Sequence, residues 1–243
     1  MPERSSHSRP AGRGLVVAVD IAIFTPRRSD LAVLLVGASD ARLRTRDRWG
    51  LPSTILRADE SPDDAAERGA RAALGAAPSL VEQAASRSAA RAVPRSGGRR
   101  AARGGSLTGD IVVSYFALFP PPDAGNRTAT SWAGLGELPS LDVRARDSIA
   151  AGFAAIRARV DVEPLAFHLL GPAFTLSELQ TVYELLLGRR LHKASFRRSL
   201  HGAALVEAMD EWRSEGRGRP AQLFRYAPRR RRKPRRGIRF DLL

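Results

Sequence analysis

The side chains best suited to chemistry lie in one short segment near the C-terminus. Phe196 and Leu200 are four residues apart, so on a helix they share one apolar face. The remaining positions of this segment, residues 193–204, present hydrogen-bonding side chains to solvent: Lys193, Ser195, Arg197, Arg198 and His201. A DNA major groove admits one helix, and arginine pairs there with guanine edges or with phosphates. The segment therefore predicts a recognition helix for double-stranded DNA.

The flanking elements predict a winged helix-turn-helix domain over residues 161–227. Thr175 and Glu178 form a capping box, and the helix that follows carries an apolar face and ends at Gly188. Residues 205–212 and 221–226 indicate two strands, joined by the glycine-rich sequence RSEGRGRP. Arginines at such a hairpin tip suit the narrower minor groove. Besides the recognition helix, the predicted DNA contacts are Thr175, Ser177, Arg217, Arg219 and Gln222.

Composition limits the class of protein. The 243 residues suffice for two domains, each with its own core, and the net charge of +15 favours a polyanionic partner. Lys193 and Lys233 are the only lysines, so arginine is abundant throughout and only its local clusters are informative. The absence of cysteine excludes disulfides, thiolate nucleophiles and cysteine-ligated metals, and fits a bacterial cytoplasm. We expect no cofactor and no membrane segment, since the apolar run at residues 15–25 is short and strand-like.

The N-terminal part, residues 15–160, has an α+β pattern. Strands are predicted at residues 15–25, 31–36, 80–84, 111–119 and 128–132. Ser61 and Pro62 begin a helix that runs to Leu74 and stops at Gly75. A second helix is indicated by the apolar spacing of Ile149, Phe153, Ile156 and Val160. Three segments lack a core pattern: a flexible arm at residues 1–14, a disordered arginine-rich insertion at residues 85–109, and a basic tail at residues 228–243.

A second set of residues resembles the Nudix box, the motif of a family of diphosphate hydrolases. Glu60, Arg68 and Gly75 fall in register with the family pattern. The three helical glutamates of that pattern do not, since their places hold Gly69, Ala72 and Ala73, and Thr54 replaces its first glycine. In the family those carboxylates bind the magnesium ions, and neither glycine nor alanine supplies an oxygen ligand. The resemblance therefore implies a Nudix-like αβα sandwich without metal-binding or catalytic residues.

The two parts together resemble the Nudix-related transcriptional regulators of the NrtR group, which repress genes of NAD metabolism. The resemblance covers residues 15–226 and is strongest in FTLSELQTVYE, FRRSL and GRGRPA. It implies a homodimeric repressor whose Nudix domain senses a nucleotide such as ADP-ribose and then releases its DNA operator. The candidate effector residues are Trp49, Glu60, Arg68 and Tyr115, whereas His168 is interpreted as structural or DNA-facing.

Three other functions remain open from the residues alone. An active pyrophosphatase with a DNA-binding appendage would hydrolyse nucleoside diphosphates in the presence of magnesium. A regulator of the same architecture would respond instead to a sugar or a sugar phosphate. A nucleic-acid-coating protein would bind through its insertion and tail without sequence preference.

Overall fold

The computed structural model describes residues 15–27, 30–37, 49–88, 110–121, 130–214 and 220–228. Four predicted features lie wholly or largely outside these ranges. They are the N-terminal arm, most of the arginine-rich insertion, the wing tip with Arg217 and Arg219, and the basic tail after Pro228.

The described residues of the N-terminal part form one seven-stranded sheet. Its strands are β1 (Val17–Arg27), β2 (Asp30–Gly37), β3 (Trp49–Gly50), β4 (Ser53–Ile55), β5 (Leu80–Ser88), β6 (Ile111–Leu118) and β7 (Thr130–Gly134). The main path runs β3-β2-β1-β6-β5, with β4 pairing to β1 and β7 pairing to β2. The β1 strand is antiparallel to β2 and parallel to β6. It lies at the centre, so it is buried on both faces.

Two helices cover the sheet, and the predicted αβα sandwich is confirmed. Helix α1 (Pro62–Leu74) begins at the capping box of Ser61 and Asp64 and ends at Gly75, whose φ of 70° favours glycine. It packs on Ile21 and its same-face neighbours. Helix α2 (Val143–Arg159) packs on the opposite face, against Ala22 and Phe24. The alternation of β1 thus divides its side chains between two helices.

The C-terminal part is the predicted winged helix. A 3-10 helix (Leu165–Leu169) and β8 (Phe174–Thr175) precede α3 (Leu176–Leu187) and α4 (Lys193–Ala203), followed by β9 (Val206–Arg213) and β10 (Ala221–Tyr226). The small sheet has the order β8-β10-β9. The capping box of Thr175 and Glu178 starts α3, and Gly188, with a φ of 67°, ends it. Both helix boundaries follow the sequence signals.

The hydrophobic core does not divide at the boundary between the two parts. One cluster of buried residues runs from Phe24 on the sheet through Ile156 and Val160 of α2 to Tyr183 and Phe196 of the winged helix. The expectation of a separate core for each part was therefore wrong. The reason is that α2 is apolar toward both the sheet and the winged helix, and it joins their cores.

The predicted start of the arginine-rich insertion at residue 85 was also too early. Strand β5 continues to Ser88, so residues 85–88 are ordered as part of the sheet. Antiparallel pairing with β6 extends to Ser88 opposite Ile111, and Arg87 is held by hydrogen bonds rather than by apolar burial. An edge strand can be polar, which is why its composition suggested a loop. Among the described helices, none has the length and apolar content needed to cross a membrane.

Candidate nucleic-acid interface and effector domain

Helix α4 presents a basic face that has no counter-charge among the residues that the structure describes. Phe196 is 1% exposed and packs on Tyr183, with ring centroids 5.9 Å apart. The predicted contact residues on α4, namely Lys193, Ser195, Arg197, Arg198 and His201, are all exposed. Within the described part of the chain, none of Lys193, Arg197 and Arg198 forms a salt bridge. These charges are therefore available to phosphates or base edges.

Glu184 of α3 fixes the turn that leads into α4. Its carboxylate accepts hydrogen bonds from the backbone of Leu191 at 2.9 Å, from Gln180 at 3.0 Å and from Arg190 at 3.1 Å. Burial by itself raises the pKa of Glu184, but these hydrogen bonds outweigh it and hold the pKa below its usual value. A charged, hydrogen-bonded Glu184 sets the angle at which α4 leaves α3.

Two of the predicted DNA contacts are used internally. Thr175 is 6% exposed, and its hydroxyl accepts from the backbone of Glu178 at 3.1 Å, so this side chain is not available to DNA in this arrangement. The reason is that an N-cap hydroxyl must point at the first turn of its own helix. Gln222 is half-buried and donates to the carbonyl of Met209 at 3.3 Å. Ser177 is exposed on the first turn of α3, as a DNA contact requires.

Other basic residues of this surface were not recognised from the sequence. Arg189 and Arg190 occupy the turn between α3 and α4, and the side chain of Arg190 is 95% exposed although it pairs with Glu184. Arg213 at the end of β9 pairs with Glu178 at 2.8 Å and donates to the carbonyl of Ala173 at 3.2 Å. It thereby joins the wing to the start of α3. The sequence gives no signal for such a partner 35 residues away.

In the N-terminal part, the effector candidates Glu60 and Arg68 lie close together, and they form hydrogen bonds to each other. The guanidinium of Arg68 donates to both oxygens of Glu60, at 3.1 and 2.5 Å, and its other hydrogen bonds go to Thr54 at 2.8 Å and to the carbonyl of Ile55 at 3.2 Å. The hydrogen bond from Arg68 is the main cause that lowers the pKa of Glu60. This pair ties the loop before α1 to the helix.

Tyr115 and Trp49, the other two effector candidates, are not brought together. Tyr115 lies fully buried under α1, and its hydroxyl donates to Asp63 at 2.5 Å. Burial, with this hydrogen bond, raises the pKa of Tyr115 above its ordinary value. Trp49 packs against the hydrophobic cluster on the α2 side of the sheet. The four candidates thus do not form one pocket, because alternate strand positions face opposite sides of the sheet.

The residues of the box do not fit a divalent cation. A Cβ at Gly69 would lie 2.5 Å from Cδ1 of Ile21 and 3.4 Å from Cγ2 of Thr54, so a side chain at this position would require the end of Ile21 to shift. Ala72 and Ala73 provide no oxygen ligand. In the described ranges there is no group of three histidine, cysteine or acidic residues that could hold a metal.

A polar cluster lies instead on the α2 side of the sheet, and the sequence analysis did not find it. Asp20 of β1 is flanked by Ser53 of β4 and Ser114 of β6, its paired neighbours in the sheet. Arg144 at the start of α2 donates to both oxygens of Asp20, at 2.7 and 2.5 Å. Ser148, one turn later, donates to Asp20 at 3.1 Å. The carboxylate thus anchors the N-terminal end of α2.

Arg87 of β5 completes this polar cluster. It donates to Ser114 at 3.1 Å, to Ser148 at 3.0 Å and to the carbonyl of Arg144 at 2.9 Å. All three acceptors are uncharged. The only signal in the sequence was a single aspartate in an otherwise apolar strand, and a buried charge of that kind requires a partner.

The opposite end of α2 contacts the winged helix. Arg157 donates to the carbonyl of Leu187, the last residue of α3, at 3.2 Å. Arg159 pairs with Glu82 of β5 and with Glu163. Just beyond α2, His168 donates through Nδ1 to the carbonyl of Ser79 at 3.1 Å, so its structural interpretation holds. Helix α2 therefore contacts the polar cluster at one end and the helix-turn-helix at the other.

Comparison with known proteins supports this architecture. A family model described as the NrtR DNA-binding winged helix domain matches residues 166–226. The ADPR responsive transcriptional repressor NtrR of Acinetobacter baylyi is 31% identical over 220 residues, covering 87% of this chain and 82% of that protein. The crystal structure of Shewanella oneidensis NrtR is similar with a TM-score of 0.69 and 26% identity, over 92% of this chain and 98% of that one. The crystal structure of Shewanella oneidensis NrtR complexed with a 27mer DNA is similar with a TM-score of 0.68 and 27% identity, over 87% of this chain and 94% of that one.

Proposed function

Because the chain belongs to the NrtR family of Nudix-related transcriptional regulators, we propose that it represses genes of NAD metabolism and is released from DNA by ADP-ribose. The observation that carries the proposal is the exposed face of α4, whose Lys193, Arg197 and Arg198 have no ion-pair partner in the described part of the chain. A basic helix held by a capped α3 and a wing is the arrangement that inserts into a major groove. The similarity to a NrtR chain crystallised with DNA supports the same conclusion.

ADP-ribose is proposed as the effector because the relative from Acinetobacter baylyi is an ADPR responsive repressor. We expect ADP-ribose to be bound without being hydrolysed. Gly69, Ala72 and Ala73 stand where the box has its helical glutamates, and none of them has a side-chain oxygen. A pyrophosphatase would need such carboxylates to hold its metal ions.

The experiment is an operator-binding assay on the full chain. Genomic fragments that the protein retains are sequenced, and the recovered operator is labelled for fluorescence anisotropy. We expect binding in the 10⁻⁸ to 10⁻¹¹ M range, on the order of that of specific regulators. Addition of ADP-ribose should weaken binding, whereas ribose 5-phosphate should leave it unchanged. The same samples are analysed for AMP, the product of ADP-ribose hydrolysis with magnesium.

Each alternative has its own outcome in this assay. Release by ribose 5-phosphate but not by ADP-ribose would establish a sugar-responsive regulator. Retention of fragments without a common sequence would establish a coating protein. Turnover of ADP-ribose at about 1 per second or faster would establish an enzyme and contradict the proposal.

We further propose that the protein acts as a homodimer in the bacterial cytoplasm, associated with the nucleoid. One recognition helix reads a half-site of a few base pairs, and a two-fold dimer doubles the length that is read. Light scattering of the purified chain measures the mass, and the recovered operator should contain two inverted half-sites about one helical turn apart. A monomeric mass together with a single half-site would contradict this part.

A further inference from the structure

The turn between α3 and α4 is held by two side chains of α3. The backbone N–H of Leu191 donates to the carboxylate of Glu184 at 2.9 Å, and the side-chain amide of Gln180 donates to the carbonyl of Leu191 at 3.0 Å. Gln180 also donates to Glu184 at 3.0 Å, so the two side chains support each other. Both backbone polar groups of Leu191 are therefore bound to α3, and its side chain is buried in the core that α3 also lines.

Among the described helices, α4 begins without the side-chain cap that starts α1 and α3. Its N-cap residue, His192, makes no side-chain hydrogen bond to the backbone of the first turn in the described ranges, whereas Ser61 and Thr175 do so for their helices. Leu191 directly precedes this N-cap. The hydrogen bonds of Leu191 to α3 therefore place the chain where α4 begins.

Core packing alone does not favour a carboxylate at position 184. The side chain of Glu184 is 11% exposed, and a charge removed from water is costly unless hydrogen bonds compensate it. An apolar residue of similar volume is often as stable or more stable in such a place. A fully hydrogen-bonded polar group, by contrast, rigidifies its surroundings in one arrangement. The arrangement fixed here is the entry of α4 relative to α3.

From this geometry we infer that Gln180 and Glu184 are positioning residues for sequence recognition, which hold α4 where its side chains reach base edges. The inference rests on the proposed function. Hydrogen bonds to base edges need a closely defined placement of the helix, whereas the attraction of a basic helix to phosphates is independent of sequence. Loosening the turn should therefore weaken binding to the operator more than binding to random DNA, although neither residue touches DNA.

The test compares operator affinity with random-DNA affinity, as a ratio, by fluorescence anisotropy on the full chain. Glu184→Ala removes the acceptor for Leu191, whereas Glu184→Gln removes the same charge and keeps an acceptor oxygen. The electrostatic effect of the lost charge is therefore equal in the two variants. We expect the ratio to fall by about tenfold in Glu184→Ala, the discrimination of one bidentate base contact, and to stay near that of the unchanged protein in Glu184→Gln.

Gln180→Ala gives a second test, in which no charge changes. It should lower the same ratio by weakening operator binding, and it should leave random-DNA affinity and its salt dependence unchanged. Gln83→Ala is the matched control, since Gln83 is an exposed glutamine on β5, and it should keep the ratio. An equal ratio in Gln180→Ala and Gln83→Ala would overturn the inference. This pair of variants decides the matter if Glu184→Ala does not fold.

Hydrogen exchange followed by mass spectrometry tests the turn itself, without DNA. The amide of Leu191 should be protected in the unchanged protein and in Glu184→Gln and should exchange faster in Glu184→Ala, while the amides of α1 exchange equally in all three. The inference is wrong if the affinity ratio, or the exchange of Leu191, is the same in Glu184→Ala and Glu184→Gln. If the unchanged protein itself does not prefer an operator to random DNA, the proposed function fails, and the inference fails with it.

Discussion

The replacement Asp20→Ala tests how strongly the polar cluster holds α2 to the sheet. Asp20 accepts four hydrogen bonds: two from Arg144 at 2.7 and 2.5 Å, one from Ser53 at 2.7 Å and one from Ser148 at 3.1 Å. The Asp20 side chain is 4% exposed and that of Arg144 is 18% exposed. Alanine would therefore remove the carboxylate that pairs with the largely buried guanidinium of Arg144.

The expected loss follows from this burial. Breaking a buried ion pair by removing one partner costs about 3 to 5 kcal/mol. We take the lower end, about 3 kcal/mol, because Arg144 keeps some contact with water. For a chain of this size, each kcal/mol lowers the melting temperature by about 2 to 4 °C. Asp20→Ala should therefore lower the melting temperature by about 6 to 12 °C.

The assay is thermal and urea unfolding followed by circular dichroism, with two controls. Asp147→Ala removes an exposed carboxylate from α2 and should change the free energy of unfolding by less than about 0.5 kcal/mol. Asp20→Leu combined with Arg144→Met removes both members of the ion pair and should be more stable than Asp20→Ala, in which Arg144 loses its pairing with Asp20. A loss below about 1 kcal/mol for Asp20→Ala, or a double variant less stable than Asp20→Ala, would refute the reasoning.

Three further predictions concern the DNA surface and the junction of the two parts. Arg197→Ala or Arg198→Ala should cost about 1 to 3 kcal/mol of operator affinity if the residue reads a base, and one of the two should relax sequence preference. Fluorescence anisotropy measures affinity and sequence preference. Unchanged affinity in both variants would exclude α4 as the recognition helix. Truncation after Pro228 should weaken binding to specific and to random DNA by similar factors. It should also reduce the slope of log affinity against log salt concentration by about one unit for each phosphate that the tail no longer neutralises. Loss of operator preference alone would mean that the tail reads sequence. Burial lowers the pKa of His168 below 6.5, against the opposing effects of the Ser79 carbonyl and Glu82. The unfolded chain therefore binds the proton more readily, so stability should fall as the pH decreases below about 6.5, and this dependence should weaken in His168→Gln when urea unfolding is followed between pH 5 and pH 8.

Local signals in the sequence sufficed for most elements. Ser61, Thr175, Gly75 and Gly188 marked helix boundaries because capping satisfies backbone groups within a few residues of the signal. The apolar spacing of Phe196 and Leu200 separated the buried face of α4 from its basic face, because this signal too lies within a few residues. DNA binding could be predicted because its determinant, a basic helical face, is a property of consecutive residues.

The effector side could not be predicted in this way. Glu60 and Arg68 were both candidates for effector binding, but whether a side chain is free to bind a ligand depends on what else touches it. The end of β5 was missed because Arg87 is ordered by Ser114 and Ser148, which are 27 and 61 residues away. Such interactions exist only after the sheet and α2 have come together.

The sequence by itself determined the order of the longer strands and helices, the caps that bound the helices, the basic face of α4 and the loss of the box carboxylates. All of these depend on interactions within a few residues, or on residue type alone. Only the tertiary structure decided that Asp20, Arg87 and Arg144 meet, that Tyr115 is buried, and that one core joins the sheet to the winged helix. The physical reason is that the pairing of charges and the burial of side chains are set by neighbours distant in the chain, which strand alternation and helix packing bring together.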